Sequence, residues 1–233
     1  VIARRRAALA AAVVGLLIGV AWAGSPPPCT IDTRVQAVDA DAHPELALLD
    51  PAWRLPPGYA PTDLVAVAGA GFAGDHRVRA IVIEDLRALR RAAEADGLRL
   101  AVQSAYRSEA YQAQVHAGWV RQLGPERAAE VSARPGHSEH QLGTAVDLRS
   151  ADGPPAWDLP DWSKTPEGAW VAAHAHRFGF VVSYPRGARG VTCYDFEPWH
   201  LRWVGRATAA AVEASGLAYR AWLHLHHPPQ AAP

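Results

Sequence analysis

Three observations in the sequence predict an α+β fold. Some stretches carry apolar residues at helical spacing, shorter ones have strand character, and the two kinds do not alternate as βαβ units would require. The first helix is read over Val78 to Ala95, where Ile81, Leu86, Leu89 and Ala93 recur on one face and Gly97 is placed to end it. Leu98 to Ala105 follows as a strand, Leu98, Leu100, Val102 and Ser104 alternating with Arg99, Ala101 and Gln103. A second helix begins after Ser108, a good N-cap, with Tyr111, Val115 and Trp119 on one face. Pro125 opens a short third helix, Glu126 to Ser132, and Gly143 to Leu148 reads as a strand. Pro166 to Phe178 is a helix ended by Gly179, Phe180 to Tyr184 a strand, and Val204 to His226 a helical region broken near Gly216. No internal repeat is visible.

The chain has 233 residues, enough for one well-cored domain or two small ones. Hydrophobic residues make up 49% and the formal charge is zero, which excludes a disordered chain and electrostatic capture of nucleic acid. Lys164 is the only lysine among the basic residues, and alanine abounds, the mark of a GC-rich genome and not of phosphate binding.

Residues 1–24 read as a leader. Arg4, Arg5 and Arg6 precede an apolar run from Ala7 to Ala23, and Ala21-Trp22-Ala23 offers a cleavage site. A cleaved secretory signal and an uncleaved membrane anchor both fit, and either puts the rest of the chain outside the membrane. Prolines before Cys29 do not suit lipid attachment. Residues 25–75 are proline-rich and irregular, expected to wrap the domain without a core of their own. The main domain is expected over 76–226, with 227–233 a disordered tail. His224, His226 and His227 are placed in an exposed end of the chain and not at a metal. Cys29 and Cys193 are the two cysteines, and in an exported protein an even pair suggests a disulfide. Two buried thiols, or Cys193 as a ligand near the chemistry, are the alternatives.

The chemistry concentrates in Pro135-Gly136-His137-Ser138-Glu139-His140-Gln141-Leu142-Gly143-Thr144-Ala145-Val146-Asp147-Leu148. Asp147 stands in a run that otherwise reads as a buried strand, and an unpaired buried carboxylate is costly. An ion pair with Arg149 or Arg134 is one answer. A metal is the better one, because it also accounts for His140 and for His200 in the later stretch Glu197-Pro198-Trp199-His200. Two histidines and one carboxylate suit zinc and leave a position for water, whose pKa the metal lowers towards neutrality. A hydrolase then needs a carboxylate beside the metal to move the proton, and Glu197 is the candidate. Residues three apart face opposite sides of a flat strand, so Glu197 and His200 converge only across a turn or bulge, which Pro198 favours.

Ser138-x-His140-x-x-Gly143-x-Ala145-x-Asp147 with Glu197-x-Trp199-His200 resembles the zinc signature of the VanY-type D-alanyl-D-alanine carboxypeptidases. Upstream, Ser104-Ala105-Tyr106-Arg107-Ser108 with Gln112 is similar to that family's Tyr-Arg-Ser motif, and Ser183-Tyr184-Pro185 to a later one. The likeness runs from about Val78 to Arg206. It implies a small central antiparallel sheet flanked by helices, the Hedgehog-like fold of these peptidases. It also implies one zinc ion on His140, Asp147 and His200, Glu197 as general base, and Arg107 as the cation that stabilises the oxyanion or holds substrate. Ser138 resembles a residue of the substrate-carboxylate pocket; Gln112 and Tyr184 are supporting substrate-binding residues or, equally, residues of the core and fold. His137 is expected as pocket wall and Glu139 as a solvated or structural neighbour. Cys193 departs from the pattern, in which glycine is more usual. The implied activity is release of terminal D-alanine from bacterial peptidoglycan stem peptides by a secreted or anchored monomer. A related zinc peptidase of L,D or endopeptidase specificity is the alternative; a silent wall-binding module fits less well, because Glu197 is present.

Overall fold

The structure is a computed structural model that describes residues 26–233; the leader read over residues 1–24 lies outside the described residues. Four strands form the central sheet in the order β5-β6-β8-β7: β5 (Leu100–Ser104), β6 (Ala145–Ser150), β7 (Phe180–Val182) and β8 (His200–Trp203). Every neighbouring pair is antiparallel. The helices around it are α1 (Ile83–Ala95), α2 (Glu109–Leu123), α3 (Pro125–Val131), α4 (Pro166–His174), α5 (Arg189–Thr192), α6 (Arg206–Ser215) and α7 (Tyr219–His226). Short pairs β1 (Arg34–Val35) with β2 (Trp53–Arg54) and β3 (Leu64–Ala66) with β4 (Arg77–Arg79) lie outside that sheet.

The two central strands explain the layering. Side chains alternate along a strand, and residues opposite each other across a pair share a face. The register sets Val146 against Leu201, and both join Leu148 and Trp203 in the main core under α1, with Leu86, Leu89 and Ala93 of that helix. The other face carries Asp147 opposite His200 and Ala145 opposite Arg202. One side of the sheet is therefore apolar and the other polar, yet all of His200–Trp203 is buried. Each fully buried leucine of the apolar side is worth about 1.5–3 kcal/mol.

The N-terminal segment covers the polar side. Arg202 donates to the carbonyls of Pro44 and Ala47 at 2.7 and 2.6 Å, and the buried pair Arg220–Asp50 closes at 2.6 Å. As expected of a segment that wraps the domain, its apolar residues pack on the domain itself: Ala40, Ala47, Leu49 and Leu55 gather around Leu142. The last residues are also tied down. Gln36 bridges Ala231, and the amides of Ala37 and Ala232 reach the carbonyls of Gln230 and Val35. Main-chain pairing with the N-terminal segment thus replaces the tail expected over 227–233. His224 and His226 lie within α7.

Three helical expectations shift. The apolar spacing from Val78 holds only from Ile83; Ile81 sits in a 3₁₀ turn and is 50% exposed. Pro166 to Phe178 is α-helical to His174 and then tightens into a 3₁₀ turn ended by Gly179. On α2, Ser108 caps the helix by accepting the Tyr111 amide, but Tyr111 and Trp119 remain exposed and Gln112 is the residue that is buried. The apolar stripe of that helix faces a cleft instead of the core.

Candidate metal centre

Three chain segments meet at one point. His140 lies on a 3₁₀ turn, Glu139–Leu142, closed by Gly143 with φ 72°. A Cβ at Gly143 would come within 2.9 Å of Arg79 and Leu64 side chains, so both the left-handed backbone and the close approach require glycine. Asp147 and His200 come from the paired central strands. Upstream, the β5–β6 register slips between Val102 and Ser104, placing Ser104 opposite Asp147. A bulge of this kind bends a strand and re-aims the residues beyond it. Here it carries Ala105, whose carbonyl accepts from His140, and Arg107, whose amide bonds the His140 carbonyl at 3.3 Å.

His140, Asp147 and His200 each offer a donor atom, and these atoms lie within 4.8 Å of one another. All three residues are 3% exposed or less. His140 donates Nδ1–H to the Ala105 carbonyl at 2.6 Å, which leaves Nε2 facing Asp147 Oδ2 at 3.3 Å. His200 is held the other way round: Nε2 lies 2.9 Å from Glu139 Oε2, and Nδ1 lies 3.0 Å from Asp147 Oδ1. Two imidazole nitrogens and a carboxylate, buried and convergent, fit a single zinc ion with one position left over. Neither arginine considered as a partner for Asp147 reaches it: Arg149 donates to the carbonyls of Ser150, Ala151 and Gly153, and Arg134 to Thr33 and the Pro51 carbonyl.

The electrostatics set the two rings apart. Burial opposes a charged His200, but its bonds to Asp147 and Glu139 outweigh that and raise it to about 10. For His140, burial dominates, Arg107 adds to it, and the ring is lowered to about 4. Burial works against an ionised Asp147, yet His140 and His200 hold it well below the usual carboxylate range.

Glu197 stands on the cleft side. Residues Glu197 to His200 form a turn in which the His200 amide bonds the Glu197 carbonyl at 3.1 Å, the break in the strand that their spacing calls for. Burial pushes the Glu197 carboxyl up to about 7; His200 opposes the rise and Asp147 adds to it. The surrounding cavity is about 580 Å³, and Ser104, Arg107, Ser138, Tyr184 and Trp199 line it with the donor set. Tyr111, Val115 and Trp119 of α2, with Trp157 opposite, extend it outward. Tyr184 stacks on His200 at 4.9 Å and packs on Tyr194.

Other expected site residues fall elsewhere. Gln112 does not line the cavity; its Nε2 donates to the Ala133 carbonyl at 2.7 Å, tying α2 to the segment after α3. His137 is not pocket wall either. It is 2% exposed, and its Nδ1 lies 2.8 Å from the Asp50 carbonyl, pinning the N-terminal segment. Glu139 is not solvated but buried, between Ser183, His200 and Arg202. Cys29 and Cys193 are bonded to each other, with Cα atoms 5.4 Å apart. Sequence reasoning missed Glu139 and Arg202; the one available signal was a glutamate in an otherwise buried run.

A small antiparallel sheet with two histidines and an aspartate converging below a cleft-side glutamate defines the zinc-peptidase class. Residues 75–206 match the family VanY, D-alanyl-D-alanine carboxypeptidase. The chain belongs to that family. It is 33% identical over 192 residues to the putative carboxypeptidase YodJ of Bacillus subtilis (strain 168), covering 79% of this chain and 69% of that one. Among solved structures, the LdcB LD-carboxypeptidase superposes with a TM-score of 0.71 at 28% identity, over 87% of this chain and 95% of that one. A zinc complex of the vancomycin-resistance D,D-pentapeptidase VanY superposes with a TM-score of 0.66 at 28% identity, over 77% of this chain and 98% of that one.

Proposed function

We propose that this protein is a zinc-dependent D,D-carboxypeptidase that hydrolyses the terminal D-Ala-D-Ala bond of peptidoglycan stem peptides. The observation that carries the reading is the convergence of His140, Asp147 and His200 at the floor of a cleft that also holds Glu197 and Arg107. Zinc, when bound, polarises the scissile carbonyl and activates water. Glu197, with its carboxyl near neutrality, takes the water's proton and passes it to the leaving amine. Arg107 is a fixed cation for the developing oxyanion. Ser138, with backbone donors near the centre, receives the substrate's terminal carboxylate, and Tyr184 holds the His200 ring and the cleft wall. Gln112 supports this wall through Ala133.

Family membership supports action on the cell wall, outside the membrane. The leader at residues 1–24, as signal or anchor, delivers the domain there, and the domain acts as a monomer. No helix among the described residues is long and apolar enough to cross a membrane. An L,D-carboxypeptidase is the second reading, favoured by the superposition on LdcB.

The test is to incubate the zinc-loaded protein with tripeptide, tetrapeptide and pentapeptide stems and to weigh the products. Release of one alanine from the pentapeptide is expected, and release from the tetrapeptide alone would establish the L,D reading. Amidating the substrate's C-terminus is expected to reduce cleavage sharply, because the carboxylate site loses its charge. Equal cleavage of acid and amide would identify an endopeptidase.

A further inference from the structure

Two buried charged side chains take no part in the hydrolytic scheme. Glu139 is 5% exposed and Arg202 fully buried, and they pair at 2.9 Å between Oε1 and Nη1. Burying such a pair is expensive, and apolar residues of the same shape commonly do as well for stability. The remaining contacts indicate what the pair does. Glu139 Oε2 accepts from Ser183 Oγ at 2.6 Å and lies 2.9 Å from His200 Nε2. Arg202 is itself fixed by the Pro44 and Ala47 carbonyls. A chain of bonds therefore runs from the N-terminal segment through Arg202 and Glu139 to the far nitrogen of His200.

A carboxylate can only accept. Both nitrogens of His200 face carboxylates and carry protons in the metal-free ring; the proton on Nδ1, turned towards Asp147, is the one a metal there would displace, while Glu139 keeps the proton on Nε2. His140 is set oppositely by a neutral carbonyl, that of Ala105. We propose that Glu139, held by Arg202, is a positioning residue for the metal centre: it fixes His200 in the tautomer whose Nδ1 is the zinc donor. This rests on reading His140, Asp147 and His200 as the zinc ligands.

The hydrogen-bond inventory makes an unusual demand on substitutions. All three groups around Glu139 are donors in this arrangement: Arg202 to Oε1, and Ser183 and His200 to Oε2. Glutamine has one acceptor oxygen and one NH₂. Arg202 cannot accept, so the amide oxygen stays with it and the NH₂ turns to Ser183 and His200. The serine hydroxyl can rotate to accept, but His200 can accept only by giving up the proton on Nε2 and keeping the one on Nδ1. The isosteric Glu139→Gln therefore favours the wrong tautomer, whereas Glu139→Asp keeps charge and acceptors.

The experiment measures zinc affinity by competition with a chromophoric chelator, alongside near-ultraviolet circular dichroism as a check of fold. Glu139→Gln is expected to bind zinc about 10–100-fold more weakly than the parent, and more weakly than Glu139→Asp. A glutamine variant that binds as tightly as the parent, or more tightly than the aspartate variant, overturns the role. Where a variant does not fold, long-range ¹H–¹⁵N correlation spectra of the histidine rings in the zinc-loaded parent decide instead. His200 protonated at Nε2 and His140 at Nδ1 are expected; His200 protonated at Nδ1 overturns the proposal. A parent that binds no zinc overturns the centre itself, a result distinct from either of these. None of these readouts depends on which peptide is cleaved.

Discussion

The floor and the wall of the cleft are built on opposite principles. The floor rests on the sheet: Asp147 and His200 face each other across paired strands, His140 on its 3₁₀ turn is locked to Ala105, and all three are buried. The wall is loop-borne and helix-borne. Glu197 lies in a turn, Arg107 follows a bulge with its Nε unpartnered, and Tyr111 and Trp119 of α2 stand open to solvent. A metal donor set gains from rigidity, because each ligand must be pre-oriented. A proton carrier and an oxyanion partner must instead reach a substrate that comes and goes. The loop carrying Glu197 is nonetheless fastened, by the Cys29–Cys193 bond and by an ion cluster in which Arg127 and Arg189 hold Asp195 and Glu130.

Under this division, damage to the wall should cost turnover without costing zinc. Glu197→Gln is expected to keep fold and metal and to lower kcat by about 10²–10⁴-fold. A kcat within a few-fold of the parent would remove Glu197 from its role. Arg107→Ala should follow, with a loss of about 10²–10³-fold in kcat. Steady-state kinetics with metal analysis on the same samples separates these from His200→Ala, a floor variant expected to lose zinc and activity together.

Smaller effects probe how the two sides are held. The bond between Cys29 and Cys193 joins residues 164 positions apart, and replacing both with serine should cost about 2–4 kcal/mol in urea unfolding. Cys193 has φ 72°, the one positive value at a non-glycine among the described residues. Pairing Cys29→Ser with Cys193→Gly should therefore recover about 1 kcal/mol relative to serine at both positions. The smallest effect concerns pH. Burial lowers the pKa of His137, with Arg134 and Arg54 contributing, while its bond to the Asp50 carbonyl opposes the shift. The unfolded chain takes up this proton near its ordinary pKa of about 6.5, whereas the folded chain resists it. Stability should therefore fall as pH drops below that value, and His137→Gln should make the fall shallower in melts recorded across that range.

Much of the site was legible because its chemistry is carried by side-chain types in short runs. Asp147 in an apolar strand signalled a paired charge whatever the fold, and Pro198 between Glu197 and His200 signalled the turn. His137 was misread, and the contacts of Gln112 and Glu139 were not foreseen, for one reason: each is a polar residue whose partner is distant in sequence. Gln112 bonds Ala133, His137 bonds Asp50, and Glu139 bonds Arg202. Periodicity misled on α2 because an apolar stripe has the same spacing whether it meets a core or a cleft.

The sequence by itself determined the α+β class, most helices and strands between α1 and α7 but not α5 or β8, and the residues able to hold zinc. Local propensity, strand alternation and the chemistry of donor atoms depend only on neighbours a few positions away. Only the tertiary structure decided which imidazole nitrogen each histidine presents, that the N-terminal segment covers the polar face of the sheet, and that residues 227–233 pair with that segment. Those outcomes depend on hydrogen bonds between segments far apart in the chain, such as His200 to Glu139 and Arg202 to Pro44, whose partners no local pattern specifies.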